Sequence, residues 1–548
     1  MERRLELARR LALVLAGALV GLHFAPLGFM PLDQSICFDG GWRLLCGQVP
    51  MRDYVAPNGF PVHALQALFF AVFGTTWFAF CLHAAVVNGL AVGLVDRLLD
   101  LLGLERMWSS VFALCTAFVF TPPFGVPYMD THAFFFSLAA LVCAVSAARA
   151  ESATVRKFAA FATGPLLAAA YLSKQIPSVF FLPVVLLVVL WAREERLGML
   201  KRVLASLAIS AAALAALAFA LGVDWELVRL HWLDLPSEEG ARRLQFVPSF
   251  GDLAKRFAQT RTELGLHGPT AAFLVALALS AVPVGLGKLY PRELQRLVWP
   301  RAALGAALAL AGLLFIAWTS NQKAIGVPLV FASAGCTAAA FQMLSRSQRE
   351  AGRRQLALAL YVPVPLLATA CAFDARSFGR EIDATRKVND LVFDAELAER
   401  SGPQLPPGMA FLRWGVPKLV QYSPTDLAQL VEHLKAREGG LFLVGDCSPM
   451  YALSGKVPTF PALWFHPGLT FPSTADERFA AFEERLLANF EREDVRTVVL
   501  EPRVWIGDVP AQKLITLERF PRVKALVDAR LENERQIGAF RVLELRAR

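Results

Sequence analysis

The residues of this chain best suited to chemistry are few, and they recur beside the ends of apolar runs. Asp33 follows the first run, at the level where lipid gives way to water, where a carboxylate is costly to desolvate unless paired or used. Arg52 and Asp53 lie further along the same polar stretch. Asp130 and His132 open another apolar run, after Thr121-Pro122-Pro123. Lys174 and Gln175 occupy a tight turn between two runs, and Asn321, Gln322 and Lys323 occupy another. Carboxylates in one layer with two lysines suit an anionic, lipid-linked substrate: a carboxylate can accept a proton from a hydroxyl, and a lysine can balance a phosphate.

The elements that must place these groups are membrane-spanning helices. Of the 548 residues, 55% are hydrophobic and 18% charged, against about 25% charged in an ordinary soluble domain. A spanning helix needs about 20 largely apolar residues. Eleven stretches qualify as candidates: 10–30, 75–95, 108–122, 131–148, 157–173, 176–192, 203–222, 269–287, 302–318, 324–344 and 356–373. The first reads as a retained span rather than a cleaved signal. The apolar segment after Pro61, ending at Phe73-Gly74, is too short to cross and reads as an interfacial or re-entrant helix.

With the N-terminus in the cytoplasm, the inside segments carry 21 Lys+Arg in 72 residues and the outside segments 10 in 109. That asymmetry follows the positive-inside rule. It places the loops 32–74 and 223–268, and the layer of candidate residues, outside. The net charge of +9 therefore reflects topology; no basic stripe with interleaved aromatics points to nucleic acid. Residues 1–373 form the expected membrane module. Residues 374–548 form an expected extracytoplasmic α/β domain, with a helix over Thr425–Glu438, strands at 441–444, 495–500 and 539–545, and a capping box at Thr474 opening a helix to about Asn489. The expected location is a bacterial inner membrane, with the C-terminal domain in the periplasm.

Several residues carry plainer expectations. Asp33 can serve as an N-cap. Asp39 reads as solvated, Asn88 as an interhelical hydrogen-bonding group, and Trp225 and Trp232 as interfacial anchors. Cys37 and Cys46 would be about 13 Å apart on a continuous helix, too far for a disulfide, unless Gly40-Gly41 breaks it. Gly445–Tyr451 follows a strand, as ligand loops do in α/β folds, but lacks a nucleotide motif. The aromatic run Phe460–His466 either lines an acceptor groove or packs against the membrane module. No metal-ligand spacing, HExxH or GxSxG is present.

The chain resembles the GT-C glycosyltransferases, in particular the branch with protein O-mannosyltransferases and aminoarabinose transferases. The resemblance rests on Asp33, on Trp42 to Pro50, on Arg52-Asp53-Tyr54, on Pro57-Asn58-Gly59-Phe60-Pro61, on Phe73-Gly74, on Asp130, on Lys174 and on Lys323 to Pro328. It implies a GT-C-like helical bundle with an extracytoplasmic domain, and transfer of a sugar from a polyprenyl-phosphate carrier to a hydroxyl of a lipid, glycan or protein. It implies catalytic roles for Asp33 and Asp130, phosphate contacts for Lys174, Lys323 and Arg52, and substrate contacts for Asp53, His132, Gln175 and Asn321. Many relatives carry two adjacent acids where this chain has Asp33-Gln34. The incomplete pair counts against a metal there and places the weight on Asp33; a divalent cation stays open as a cofactor. The rival expectation is a lipid or solute transporter, which charges inside several spans or repeated broken helices would favour.

Overall fold

The computed structural model describes residues 1–192, 195–235, 267–288, 290–318, 328–350, 352, 404–416, 420–465, 470–472, 474, 476–502 and 516–547. The chain is a helical multi-pass membrane protein with a C-terminal α/β sheet. Its helices are α1 (Glu2–Phe24), α2 (Pro31–Leu45), α3 (Phe60–Phe73), α4 (Trp77–Leu101), α5 (Arg106–Val119), α6 (Met129–Arg149) and α7 (Ala153–Ser173). Then come α8 (Gln175–Trp191), α9 (Arg196–Ala220), α10 (Trp225–Arg229), α11 (His267–Gly287), α12 (Arg292–Trp318) and α13 (Pro328–Glu350). Among the described residues, α4, α6, α9 and α12 are long and apolar enough to cross a membrane on those grounds alone. The remaining expected spans coincide with described helices, except 356–373, which lies outside the described residues.

The first helix begins eight residues earlier than expected because its charged turn belongs to it. Arg9 binds the buried Asp96 of α4 at 2.8 Å, and Arg10 reaches Asp100 at 2.7 Å. These pairs pin the first turns of α1 to the last turns of α4. Midway along, Asn88 donates to the carbonyls of Gly17 and Ala117 and accepts from the backbone of Thr121, joining α1, α4 and α5 as expected of a polar group in hydrocarbon. Gly89 lets α1 and α4 touch: a Cβ there would collide with the carbonyl of Val14. Pro31 then starts a second helix, since proline suits the first helical position. That helix, α2, runs unbroken through Gly40-Gly41, so Cys37 and Cys46 are free thiols, as are the other described cysteines. The short apolar helix α3 packs between α2 and α4.

The C-terminal sheet has order β1 (Gly440–Val444), β2 (Val495–Leu500), β4 (Phe540–Leu545), β3 (Leu531–Ile537). The first pair is parallel and the others are antiparallel. Its helices are α14 (Pro424–Ala436), α15 (Pro449–Ser454), α16 (Phe479–Arg492) and α17 (Pro521–Arg530). A capping box between Ser423 and Asp426 opens α14. The capping box expected at Thr474 does not form: α16 starts at Phe479, and Asp476 instead accepts the backbone N–H of Arg478 at 2.9 Å. Phe442, Phe460, Phe465, Phe471, Phe482 and Phe520 fill the core on one side of the sheet.

This domain is stitched to the first polar stretch by backbone bonds. Gly28 and Phe29 donate to the carbonyls of Arg413 and Gly415, and Arg413 donates back to Pro26. Val55 exchanges bonds with Pro461 and Leu463.

Candidate active site

Asp33 is the third residue of α2, half-buried. Met30 holds the N-cap position, so Asp33 lies inside the first turn, where the helix dipole favours a negative charge, and is not the cap. Its neighbour Gln34 explains the departure from a paired acid. The Gln34 amide donates to the carbonyl of Phe124 at 3.0 Å while its oxygen accepts the N–H of Met30 at 3.0 Å. A carboxylate could do the second but not the first. Gln34 thus ties the start of α2 to the segment preceding α6.

One turn further along α2, the Cys37 thiol marks where distant stretches meet. Burial pushes it up, the charges of Asp130 and Asp33 add to that, and Lys174 opposes them. The charges of groups on α2, α6 and the α7–α8 turn therefore all reach this one side chain.

Asp130, in the first turn of α6, has no exposed surface. Its Oδ2 accepts a hydrogen bond from Lys174 Nζ at 2.7 Å, and its Oδ1 has no partner among the described residues. Lys174, between α7 and α8, keeps 21% of its side chain exposed. Its ammonium lies 5.7 Å from the centre of the Tyr128 ring, which stacks on Phe124 at 3.9 Å. Gln175 donates to the carbonyl of Pro57 at 3.3 Å, and Gly59 donates to Leu172 at 3.0 Å, so the Pro57–Gly59 turn is fastened to the lysine turn. Gly59 adopts φ 92°, and a Cβ there would strike His63 and Met129.

Four of the expected site residues, His132, Arg52, Asp53 and Gln175, make contacts within the protein. His132 has no exposed surface and both ring nitrogens are engaged. Its Nδ1 lies 2.9 Å from the carbonyl of Tyr128 and must donate to it, and its Nε2 lies 3.0 Å from His83 Nε2. No nitrogen is left for substrate. Arg52 is committed to Asp53 at 2.7 Å and to the carbonyl of Leu221 at 3.1 Å, and Asp53 also accepts the N–H of Val49 at 2.7 Å. That pair ties the first polar stretch to the end of α9. Gln175 donates to Pro57, within the site's framework. Asn321, Gln322 and Lys323 lie outside the described residues.

Asp39, expected to be solvated, is 1% exposed and paired with Arg43 at 2.8 Å. Burial raises its carboxyl above the usual range, while Arg43 opposes the rise. Arg43 also donates to Gln48 and to the carbonyl of Ala462, and lies 4.8 Å over the Tyr54 ring. Gln48 and Trp42 donate to the carbonyls of Pro458 and Lys456. The i,i+4 spacing of Asp39 and Arg43 was the available signal for this pair. The loop after β1 and the aromatic run both pack here. The gap they leave, lined by Asp39, Arg43, Asp446, Ser448, Tyr451 and Trp464, measures about 20 Å³, room for a water but not a sugar. Of the two expected anchors, Trp225 is half-exposed and Trp232 packs on Phe60. Among the described residues, no group of three or more His, Cys, Asp or Glu side chains is arranged to hold a metal ion.

No family model matches the chain, and no curated protein matches it in sequence. Among solved structures, it is similar to the oligosaccharyltransferase of Archaeoglobus fulgidus in complex with Zn and sulfate, at 14% identity and a TM-score of 0.41, over 89% of this chain and 67% of that one. It is also similar to ArnT of Cupriavidus metallidurans bound to undecaprenyl phosphate, at 13% identity and a TM-score of 0.49, over 98% of this chain and 97% of that one. The apo form of the same ArnT gives 12% identity and a TM-score of 0.45, over 99% and 98%.

Proposed function

We propose that the chain is a GT-C-type glycosyltransferase that moves a sugar from a polyprenyl-phosphate carrier to an acceptor hydroxyl at the extracytoplasmic face of a bacterial inner membrane. The observation that carries this reading is the buried Asp130 holding a partly open Lys174 ammonium at 2.7 Å, with the charges of Asp33, Asp130 and Lys174 all felt at Cys37. The acceptor oxygen forms a bond to the anomeric carbon as the bond from that carbon to the phosphate oxygen breaks. Asp33, half-open and in the first turn of its helix, takes the hydroxyl proton. The departing polyprenyl phosphate gains negative charge, which the Lys174 ammonium balances in a partly dry site. Asp130 is too enclosed to meet substrate; it holds Lys174 in place and acts as a positioning residue.

The test is reconstitution in vesicles with a panel of polyprenyl-phosphate sugars and candidate acceptors, comparing the intact chain with Asp33→Asn. Glycosyl transfer that falls by about 10²-fold or more in the variant is expected. Transfer at the full rate in Asp33→Asn would remove the base. Movement of the carrier lipid between leaflets without any transfer would establish the transporter instead.

A further inference from the structure

A series of buried polar side chains crosses three helices and ends beside Lys174. Gln66 of α3, His83 of α4 and His132 of α6 have no exposed surface. The end of the Gln66 side chain lies 2.9 Å from His83 Nδ1, and the Nε2 atoms of His83 and His132 lie 3.0 Å apart. Phe69 stacks on the His83 ring at 4.9 Å, and Gly41 leaves room for Gln66, which a Cβ there would strike. His132 Nδ1 reaches the carbonyl of Tyr128 at 2.9 Å, and the same carbonyl accepts the backbone N–H of His132 at 3.1 Å. Side chain and backbone of His132 thus close the first turn of α6 together, and Asp130 lies inside that turn.

Geometry assigns the protons of this series. A carbonyl only accepts, so His132 carries a proton on Nδ1. If neither ring carried one on Nε2, two lone pairs would face each other at 3.0 Å and repel. One proton therefore sits between the rings. In the uncharged arrangement it belongs to His83 Nε2, and His83 Nδ1 accepts from the Gln66 NH2, which has no other partner among the described residues. With the Gln66 oxygen toward the ring instead, the two imidazoles would share an extra proton, a buried positive charge that nothing in the series balances. The uncharged arrangement avoids that cost. In both, His83 anchors the far edge of the His132 ring while Nδ1 faces Tyr128.

We infer that His83 is a positioning residue for glycosyl transfer: by bonding to His132 it fixes the ring that closes the first turn of α6, and that turn holds Asp130 and Tyr128 against Lys174. Asp130 binds the ammonium at 2.7 Å, and the Tyr128 ring centre lies 5.7 Å from it. Without His83, Nε2 of His132 is buried and unpaired, which favours any rotation of the ring that finds it a donor and so frees the Tyr128 carbonyl. The turn then loosens, and the lysine stands off from the departing phosphate. A misplacement of about 1 Å can cost up to about 10²-fold in rate. The role of His83 rests on the transferase reading, whereas the bonds of the series do not.

The experiment uses the full chain in vesicles, with the polyprenyl-phosphate sugar and acceptor that support transfer. His83→Leu should lower kcat about tenfold and change the donor KM less than about twofold, because a displaced lysine is missed chiefly as charge develops on the leaving phosphate. His83→Gln, whose amide N–H falls where the ring Nε2–H stood, should recover most of the rate. His83→Asn, one methylene shorter, should not, and it takes the place of His83→Leu if leucine prevents folding. In a Lys174→Met chain, His83→Leu should add little, since its effect passes through the lysine. A further loss of the same size there would overturn the inference, as would equal rates in the Gln and Asn variants. Nitrogen-15 NMR of the histidine-labelled chain, read without substrate, should show opposite tautomers, His132 protonated on Nδ1 and His83 on Nε2. The same tautomer in both rings would overturn the inference whatever the chain transfers. Opposite tautomers in a chain that transfers no sugar would uphold the bonds but overturn the transferase reading, and with it the role given to His83.

Discussion

Two buried carboxylate–cation pairs meet α2 or its surroundings, and they differ in one respect. Asp39–Arg43 is closed on both sides, each partner 1% exposed. Asp130–Lys174 is closed on the acid side alone: Asp130 has no exposed surface, while Lys174 keeps 21% of its side chain open. The Arg43 guanidinium is consumed by Asp39, Gln48, Ala462 and the Tyr54 face. A cation sealed from solvent with every nitrogen engaged holds structure together. A cation held by a buried acid and still reachable from solvent can meet a second anion.

Substitutions separate the two roles. Lys174→Met should cut sugar transfer about 10²–10³-fold, the loss typical of removing a group that stabilises developing negative charge. Adding Asp130→Leu should restore stability by removing the orphaned acid, without restoring transfer; recovery of activity in the double variant would show that the lysine touches no substrate. Arg43→Met should instead act on the fold, costing about 3–5 kcal/mol because Asp39 is left buried and unpaired. Adding Asp39→Leu should recover most of that, since an apolar pair of similar volume replaces a buried ion pair at little net cost. Denaturation in detergent measures both, and a persistent loss in the double variant would mean that the pair does more than hold α2 to the C-terminal domain.

The smallest effect concerns a third buried acid, one without a cation. Glu501 accepts the N–H groups of Asp446 and Cys447 at 2.6 and 3.1 Å, and burial raises it to about 7. In the folded state it keeps a proton that the unfolded chain releases near 4.5, so its contribution to stability falls as pH rises from about 4.5 to 7. Glu501→Gln should raise the melting temperature by a few degrees at about pH 8 and leave it unchanged near pH 4. A gain of equal size at both would assign the effect to packing.

The spans were legible because about 20 apolar residues in a row leave few alternatives, and Asp33, Asp130 and Lys174 stood out as charges at the ends of such runs. What the sequence concealed was commitment. Nothing in the spacing of Asp130 and His132 distinguishes an acid bound to a lysine from an imidazole used up by Tyr128 and His83, partners 4 and 49 residues away. Arg52 and Asp53, adjacent in sequence, were visible as a pair, but their tie to Leu221 was not. The strand β3 was missed because Leu531–Ile537 is almost entirely charged or polar and exposed, as an edge strand can be without an apolar face of its own. The sealed pair Asp39–Arg43 needed the C-terminal domain in place before its burial made sense.

The backbone bonds linking Pro26, Gly28 and Phe29 to Arg413 and Gly415 bear on how the protein is made. The stretch that follows the first helix leaves the ribosome early, yet its hydrogen-bonding partners lie nearly four hundred residues later in the chain. Until translation has passed residue 415, those amides and carbonyls must rest on water or a chaperone, and α2 lacks its final anchor. A fragment ending at α13 would lack the partners of Pro26, Gly28 and Phe29, so this corner of the fold closes only once the C-terminal domain has been made.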